Sequence, residues 1–138
     1  MRCVATLLLL AVSAIASGCT SDEDKIRHVV QDYNAAVGDG DGTKACALLT
    51  KRGREIVHAL ALEELLSDRT SGCESTIDAL GDFKEGSEIK ELESAKIGDV
   101  RIRGTAAKAE LRSAEGLATA QLKQQDGEWR VDYPPGFE

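Results

Sequence analysis

The chain has 138 residues, with 17 Lys and Arg against 24 Asp and Glu, a formal net charge of −7 and room for one domain. Its 42% apolar and 30% charged residues match an ordinary globular domain and argue against wholesale disorder. The acidic balance, with no run of Lys or Arg, argues against a nucleic-acid partner.

The first segment has the layout of an export signal. Met1-Arg2 is a short positive start, Val4 to Ile15 is apolar apart from Thr6 and Ser13, and Ala16-Ser17-Gly18-Cys19 closes it. About a dozen apolar residues fall short of the ~20 needed to cross a bilayer as a helix. Ala-Ser-Gly-Cys resembles the lipobox of bacterial lipoproteins, with Ala16 where that pattern usually has Leu. The resemblance implies cleavage after Gly18 and a diacylglycerol thioether on Cys19. The alternative is ordinary secretion that leaves Cys19 a free thiol. Cysteine usage favours lipidation. Cys3 leaves with the signal, so an acylated Cys19 leaves an even pair, Cys46 and Cys73, in an oxidising compartment. Losing residues 1–18 removes only Arg2 among the charges and makes the mature chain one unit more negative than the −7 of the whole. The expected organisation is a signal at 1–18, a lipidated Cys and tether at 19–23, one domain at 24–133 and a tail at 134–138. The expected location is the extracytoplasmic face of the cell membrane.

Helices come first in the domain. Ser21 with Asp24 three residues on forms a capping box, and Ile26, Val30, Tyr33 and Val37 make one apolar helix face. Gly38-Asp39-Gly40-Asp41-Gly42 stops that helix. Thr43 then caps a short second helix that turns Ala45, Cys46, Leu48 and Leu49 inward. Residues 53–66 carry Ile56, Val57, Leu60, Ala61 and Leu65 at mostly helical spacing, and Asp68 to Gly72 reads as a polar loop. Cys73, Ile77 and Leu80 form the face of a further helix ended by Gly81. Cys46 and Cys73 thus both lie on apolar faces. Export favours a bridge between them over two buried thiols, closing a loop of 26 intervening residues.

After Gly86 the period shortens to 2. A strand is expected around Ile89 to Ile97, followed by a meander. Its inward positions are Val100, Ile102, Ala107, Ala109, Leu111, Ala118, Ala120, Leu122, Trp129, Val131 and Tyr133. Gly104-Thr105, Gly116 and Asp126-Gly127 are the turns, and Pro134-Pro135 ends the last strand. Helices followed by an antiparallel sheet define an α+β domain, with the helices covering the apolar face.

Several features recur together: a long first helix ending in Gly-Asp-Gly, then Ala45-Cys46-Ala47-Leu48-Leu49-Thr50, a second Cys opening a short helix, and Asp126-Gly127-Glu128-Trp129-Arg130-Val131 at the close. In this the chain is similar to small actinobacterial lipoproteins of the nuclear transport factor two-like superfamily, over about Asp24 to Tyr133. That superfamily shares its cone-shaped fold with ketosteroid isomerase and polyketide cyclases. The resemblance implies a curved sheet wrapped round helices, often with a pocket at the open end. It implies no single function, because the fold hosts both enzymes and interaction domains.

Acid–base catalysis in such a pocket needs an inward carboxylate, imidazole or phenol. None of the inward sheet positions supplies a carboxylate or imidazole. Tyr33, on the stripe of the first helix, and His58, flanking the face of the third, are the weak catalytic candidates, and core packing is the blander reading of each. His28 lies off the stripe, and Asp32 points away from Tyr33. Asp39-x-Asp41 resembles the start of an EF-hand loop, but Lys44 stands at position six and Thr50 at position twelve, so it reads as a turn. No metal site and no cofactor are expected. The expected function is a non-enzymatic binding module held at the membrane by its lipid, with an envelope protein or a small apolar ligand as partner, and a monomer. The alternative is a small pocket enzyme of isomerase, dehydratase or cyclase type, with Tyr33 as donor and His58 as base.

Overall fold

The computed structural model describes residues 20–64, 72–82, 87–114 and 116–135. Residues 1–18 and Cys19 therefore lie outside the described residues, as do most of the 68–72 loop and the end of the tail.

Helix α1 (Asp22–Asp39) begins at the capping box. The Ser21 hydroxyl accepts from the Asp24 N–H at 3.1 Å and donates to Asp24 Oδ2 at 2.6 Å. Ile26, Val30, Tyr33 and Val37 are buried, together with Asn34, Ala36 and Gly38. The helix runs through Gly38 and stops at Gly40, whose φ of 69° is the left-handed cap that glycine adopts at low cost. Cα of Gly40 also lies only 2.5 Å from where a Cβ on Gly81 would stand, so these two glycines let the ends of α1 and α4 touch.

Helix α2 (Gly42–Ala47) is capped by Asp41 and not by Thr43. Asp41 accepts from the Lys44 N–H at 2.9 Å, while the Gly42 N–H is taken by Asp78 Oδ1 at 2.7 Å. Helix α3 (Lys51–Glu64) starts two residues ahead of the expected 53 because Thr50 Oγ1 accepts from the Gly53 N–H at 3.0 Å. Helix α4 (Cys73–Asp82) follows. The strand expected around Ile89 is largely helix α5 (Ser87–Ser94). Ile89 and Leu92 are three apart, and the Glu and Lys between and around them favour helix, so the segment packs on α1 as a helix and the strand begins only at Lys96.

Strands β1 (Lys96–Arg103), β2 (Ala106–Arg112), β3 (Leu117–Gln125) and β4 (Glu128–Tyr133) form one antiparallel sheet in chain order. Asp126 and Gly127, with φ of 55° and 82°, make the two-residue turn that suits the twist of a hairpin. The fold is α+β: among the described residues α1 and α3 pack on the four-stranded sheet, and α2, α4 and α5 pack on the other helices. Between the layers sits a core that includes Ile26, Val30, Tyr33, Leu49, Ile77, Leu111, Leu122, Trp129 and Val131. The α2–α3 junction covers the outer edge of β4. Thr50 N–H donates to Val131 O and Val131 N–H donates to Leu48 O, each at 2.9 Å.

Two register shifts move side chains from the faces that strict alternation gives them. In β1 one extra residue falls between Ile97, opposite Leu111, and Val100, opposite Ala109. In β4 Val131 opposes Leu122 but Tyr133 opposes Gln121, so Asp132 is the extra residue. Tyr133, expected inward, therefore shares the outer face with exposed Gln121 and is only half-buried, while Asp132, expected outward, is buried. Ile102 is 40% exposed, at the end of an edge strand beyond the helices' cover. Pro134 and Pro135 are buried.

Candidate functional site

The interior between helices and sheet is filled by large side chains. Tyr33 on α1 is 2% exposed, Leu111 on β2 1%, and Trp129 on β4 4%. Burial pushes the Tyr33 phenol up from its ordinary range, because the phenolate would lose its water. Trp129 Nε1 faces the Asp22 carboxylate without completing a well-formed hydrogen bond. The Lys25 ammonium, 3.1 Å away, does most to hold the Asp22 carboxyl below the usual carboxylate range, and the indole N–H adds to it. A hydrogen bond from Ser21 lowers Asp24 in the same way.

The two catalytic candidates are not brought together. His58 is half-buried on α3, its Nδ1 has no hydrogen-bond partner, and α3 packs on α4 and β4 and makes no comparable contact with α1, which carries Tyr33. His28 is exposed, with Nδ1 2.7 Å from the Asp24 carbonyl, and Asp32 is exposed.

Sequence reasoning missed Asp132, among the described residues the one deeply buried carboxylate. Asp132 Oδ1 accepts from Thr50 Oγ1 at 2.8 Å, and Oδ2 lies 3.1 Å from Lys123 Nζ and 3.5 Å from an Arg52 guanidinium nitrogen. Its side chain is 6% exposed, but both cations are half-exposed or more. A hydroxyl and two cations occupy this carboxylate, so the arrangement is a clasp between β4 and the start of α3 and not a free base. No residue type marks the bulge that turns Asp132 in. Thr50 and Asp132 are 82 positions apart, so no local spacing in the sequence links them.

The structure joins Cys46 and Cys73 in a disulfide, with Cα atoms 6.1 Å apart. It lines a cleft of about 800 Å³ between α2, α3 and α4, whose wall also carries Arg54, Glu74, Asp78 and Arg130. Those charges make the cleft a poor match for an apolar molecule. A smaller cleft of about 380 Å³, between α1, α5 and β1, is lined by Arg27, Gln31, Asn34, Glu93, Ala95, Lys96 and Ile97. Asn34 Oδ1 is buried there without a hydrogen bond. Neither cleft is lined by Tyr33 or His58.

Among the described residues no helix packs on the outer face of the sheet, which is rich in cations. Lys96 stands opposite Arg112, Arg101 opposite Lys108, and Lys123 opposite Arg130. Glu110 is shared between Arg101, at 3.9 Å, and Arg112, at 3.6 Å. Among the described residues Lys96, Arg103 and Lys108 make no ion pair.

No family model matches the sequence, and no curated protein matches it. Among solved structures, a chain from Xanthomonas campestris described as a calcium/calmodulin dependent protein kinase II association domain is similar at 12% identity, with 91% of this chain and 94% of that chain covered and a TM-score of 0.42. The α+β class rests on the layering described above and not on that likeness.

Proposed function

We propose that this chain is a lipid-anchored module of the cell envelope, held at the extracytoplasmic face of the membrane through Cys19, whose domain binds and does not catalyse. In this reading it is one of the small lipoproteins with a nuclear transport factor two-like domain. The observation that carries the non-enzymatic part is the filled interior: Tyr33, Leu111 and Trp129 take the space that a pocket enzyme would leave open, and among the described residues no acid–base pair converges there. The anchor is supported by the signal-like first segment and by the cysteine pairing, since Cys46 and Cys73 occupy each other. Partners are then met on the exterior of the domain.

Intact mass of the protein purified from its own envelope, with and without reduction, tests this. The expected mass is residues 19–138 plus a diacylglyceryl group, two hydrogens lighter before reduction. An unmodified chain cut near Gly18 would overturn the anchor and make a diffusible domain the better reading.

A further inference from the structure

We propose that the outer face of the sheet is a docking surface for an anionic lipid leaflet. The chain's net charge of −7 conceals it. Lys96, Arg101, Arg103, Lys108, Arg112 and Lys123 project from the outer positions of three neighbouring strands, against Glu110, Glu128 and the buried Asp132. Like charges directly opposite each other across strands destabilise a sheet, and two such pairs, Lys96 with Arg112 and Arg101 with Lys108, occur on this one face. Arg130, opposite Lys123, turns its guanidinium to the Ala47 carbonyl and to Glu128. Cations on an edge strand alone would be explained by protection against edge-to-edge pairing. Lys108, Arg112 and Lys123 lie on β2 and β3, inside the sheet, where that protection has no purpose. The acidic helical surface lies on the far side of the core, so a leaflet that approaches the sheet meets the cations first.

A leaflet fits these observations better than an acidic polypeptide. Lys96 borders the smaller cleft, but Arg101, Arg103, Lys108, Arg112 and Lys123 line neither cleft and are spread over the open sheet face. Stable protein interfaces centre on clustered apolar or aromatic anchors. Among the described residues Leu117, 71% exposed, is the one large, well-exposed hydrophobe whose strand position belongs to this face. The proposal deepens the envelope reading above and rests on it for where such a leaflet is met. Thr20 and Ser21 alone separate Cys19 from α1, a reach of about 10 Å. The first turn of α1 faces Trp129, one register step from the Lys123–Arg130 pair, so a lipid on Cys19 would enter at this end of the sheet.

The test is lysine footprinting with a membrane-impermeant amine reagent, on the protein mixed with vesicles of phosphatidylcholine alone or of equal parts phosphatidylglycerol and phosphatidylcholine. Lys108 and Lys123 are expected to be shielded on the anionic vesicles only, while Lys25 and Lys44 on the helical side react equally with both. In Lys108→Ala the shielding of Lys123 should fall by about fivefold. The same change relieves the clash with Arg101, so the melting temperature should hold or rise, which separates loss of docking from loss of fold. Equal shielding on both vesicles, or none, overturns the proposal. So does shielding reproduced by inorganic phosphate, or shielding that needs an added envelope protein, which would assign the face to an acidic polypeptide. An unacylated mass would sink the anchor and leave this footprint standing, so the two readings fail separately.

Discussion

The carboxylate of Asp132 and the hydroxyl of Thr50 meet 2.8 Å apart in a place shielded from water, and that pair, more than the ion pairs around it, holds the β4 bulge to α3. Asp132→Ala strands a buried hydroxyl and should lower unfolding free energy by about 1–3 kcal/mol. Lys123→Ala removes a half-exposed partner and should cost under about 1 kcal/mol. Urea denaturation of the two variants checks the order, and equal losses would show that the ion pair dominates. Tyr33 makes a prediction about alkali. Its phenol titrates higher in the folded chain than in the unfolded one, so the folded state holds its proton longer. The stabilisation is complete below the unfolded value of ~10 and drains away as pH rises above it. Tyr33→Phe should therefore flatten the fall of melting temperature between about pH 10 and 12, measured by circular dichroism. An unchanged slope would place the alkaline sensitivity elsewhere. The burial of Tyr33 was readable from the stripe at Ile26, Val30 and Val37. The burial of Asp132 was not, because a bulge is a property of two paired strands and leaves no periodicity in either.

At the level of elements, the helices with a cap and a stripe, and the hairpins with a turn dipeptide, could be read from the sequence because each signal is local. Ser21 with Asp24 and Asp126 with Gly127 act on their own neighbours. Helix α5 failed that reading because two apolar residues among charges are too few to establish a period, and its contact with α1 decides the matter. Ile102 failed for a related reason: alternation says which face a side chain takes but not whether a helix reaches it. The Cys46–Cys73 bridge ties α2 to the start of α4 across a separation of 27 residues. In the chain-entropy account such a closure stabilises by roughly 3–4 kcal/mol. Cys46→Ala and Cys73→Ala should lower the melting temperature by similar amounts, and the double variant by little more than either. Clearly additive losses in calorimetry would show that the two sulfurs act independently.

For the whole molecule, the reading as an envelope lipoprotein places one covalent group in charge of location. Cys19→Ala should move the protein out of the membrane fraction, and retention through a salt wash would show that something other than the acyl group holds it. A further consequence follows from the way Leu48 to Thr50 pair with Val131. The last strand is the neighbour of a segment from the first half of the chain, so these hydrogen bonds span more than eighty positions and form only after nearly the whole polypeptide is present. The bridge between Cys46 and Cys73 needs much less of the chain. Assembly therefore has a natural order: the helical half can be cross-linked while the sheet is still incomplete, and the arrival of Trp129 to Tyr133 closes both layers in one step. Removing that strand would leave the stapled helices against a three-stranded sheet, with the apolar residues that Trp129 and Val131 cover laid bare, a species suited to capture by chaperones or degradation and not to function.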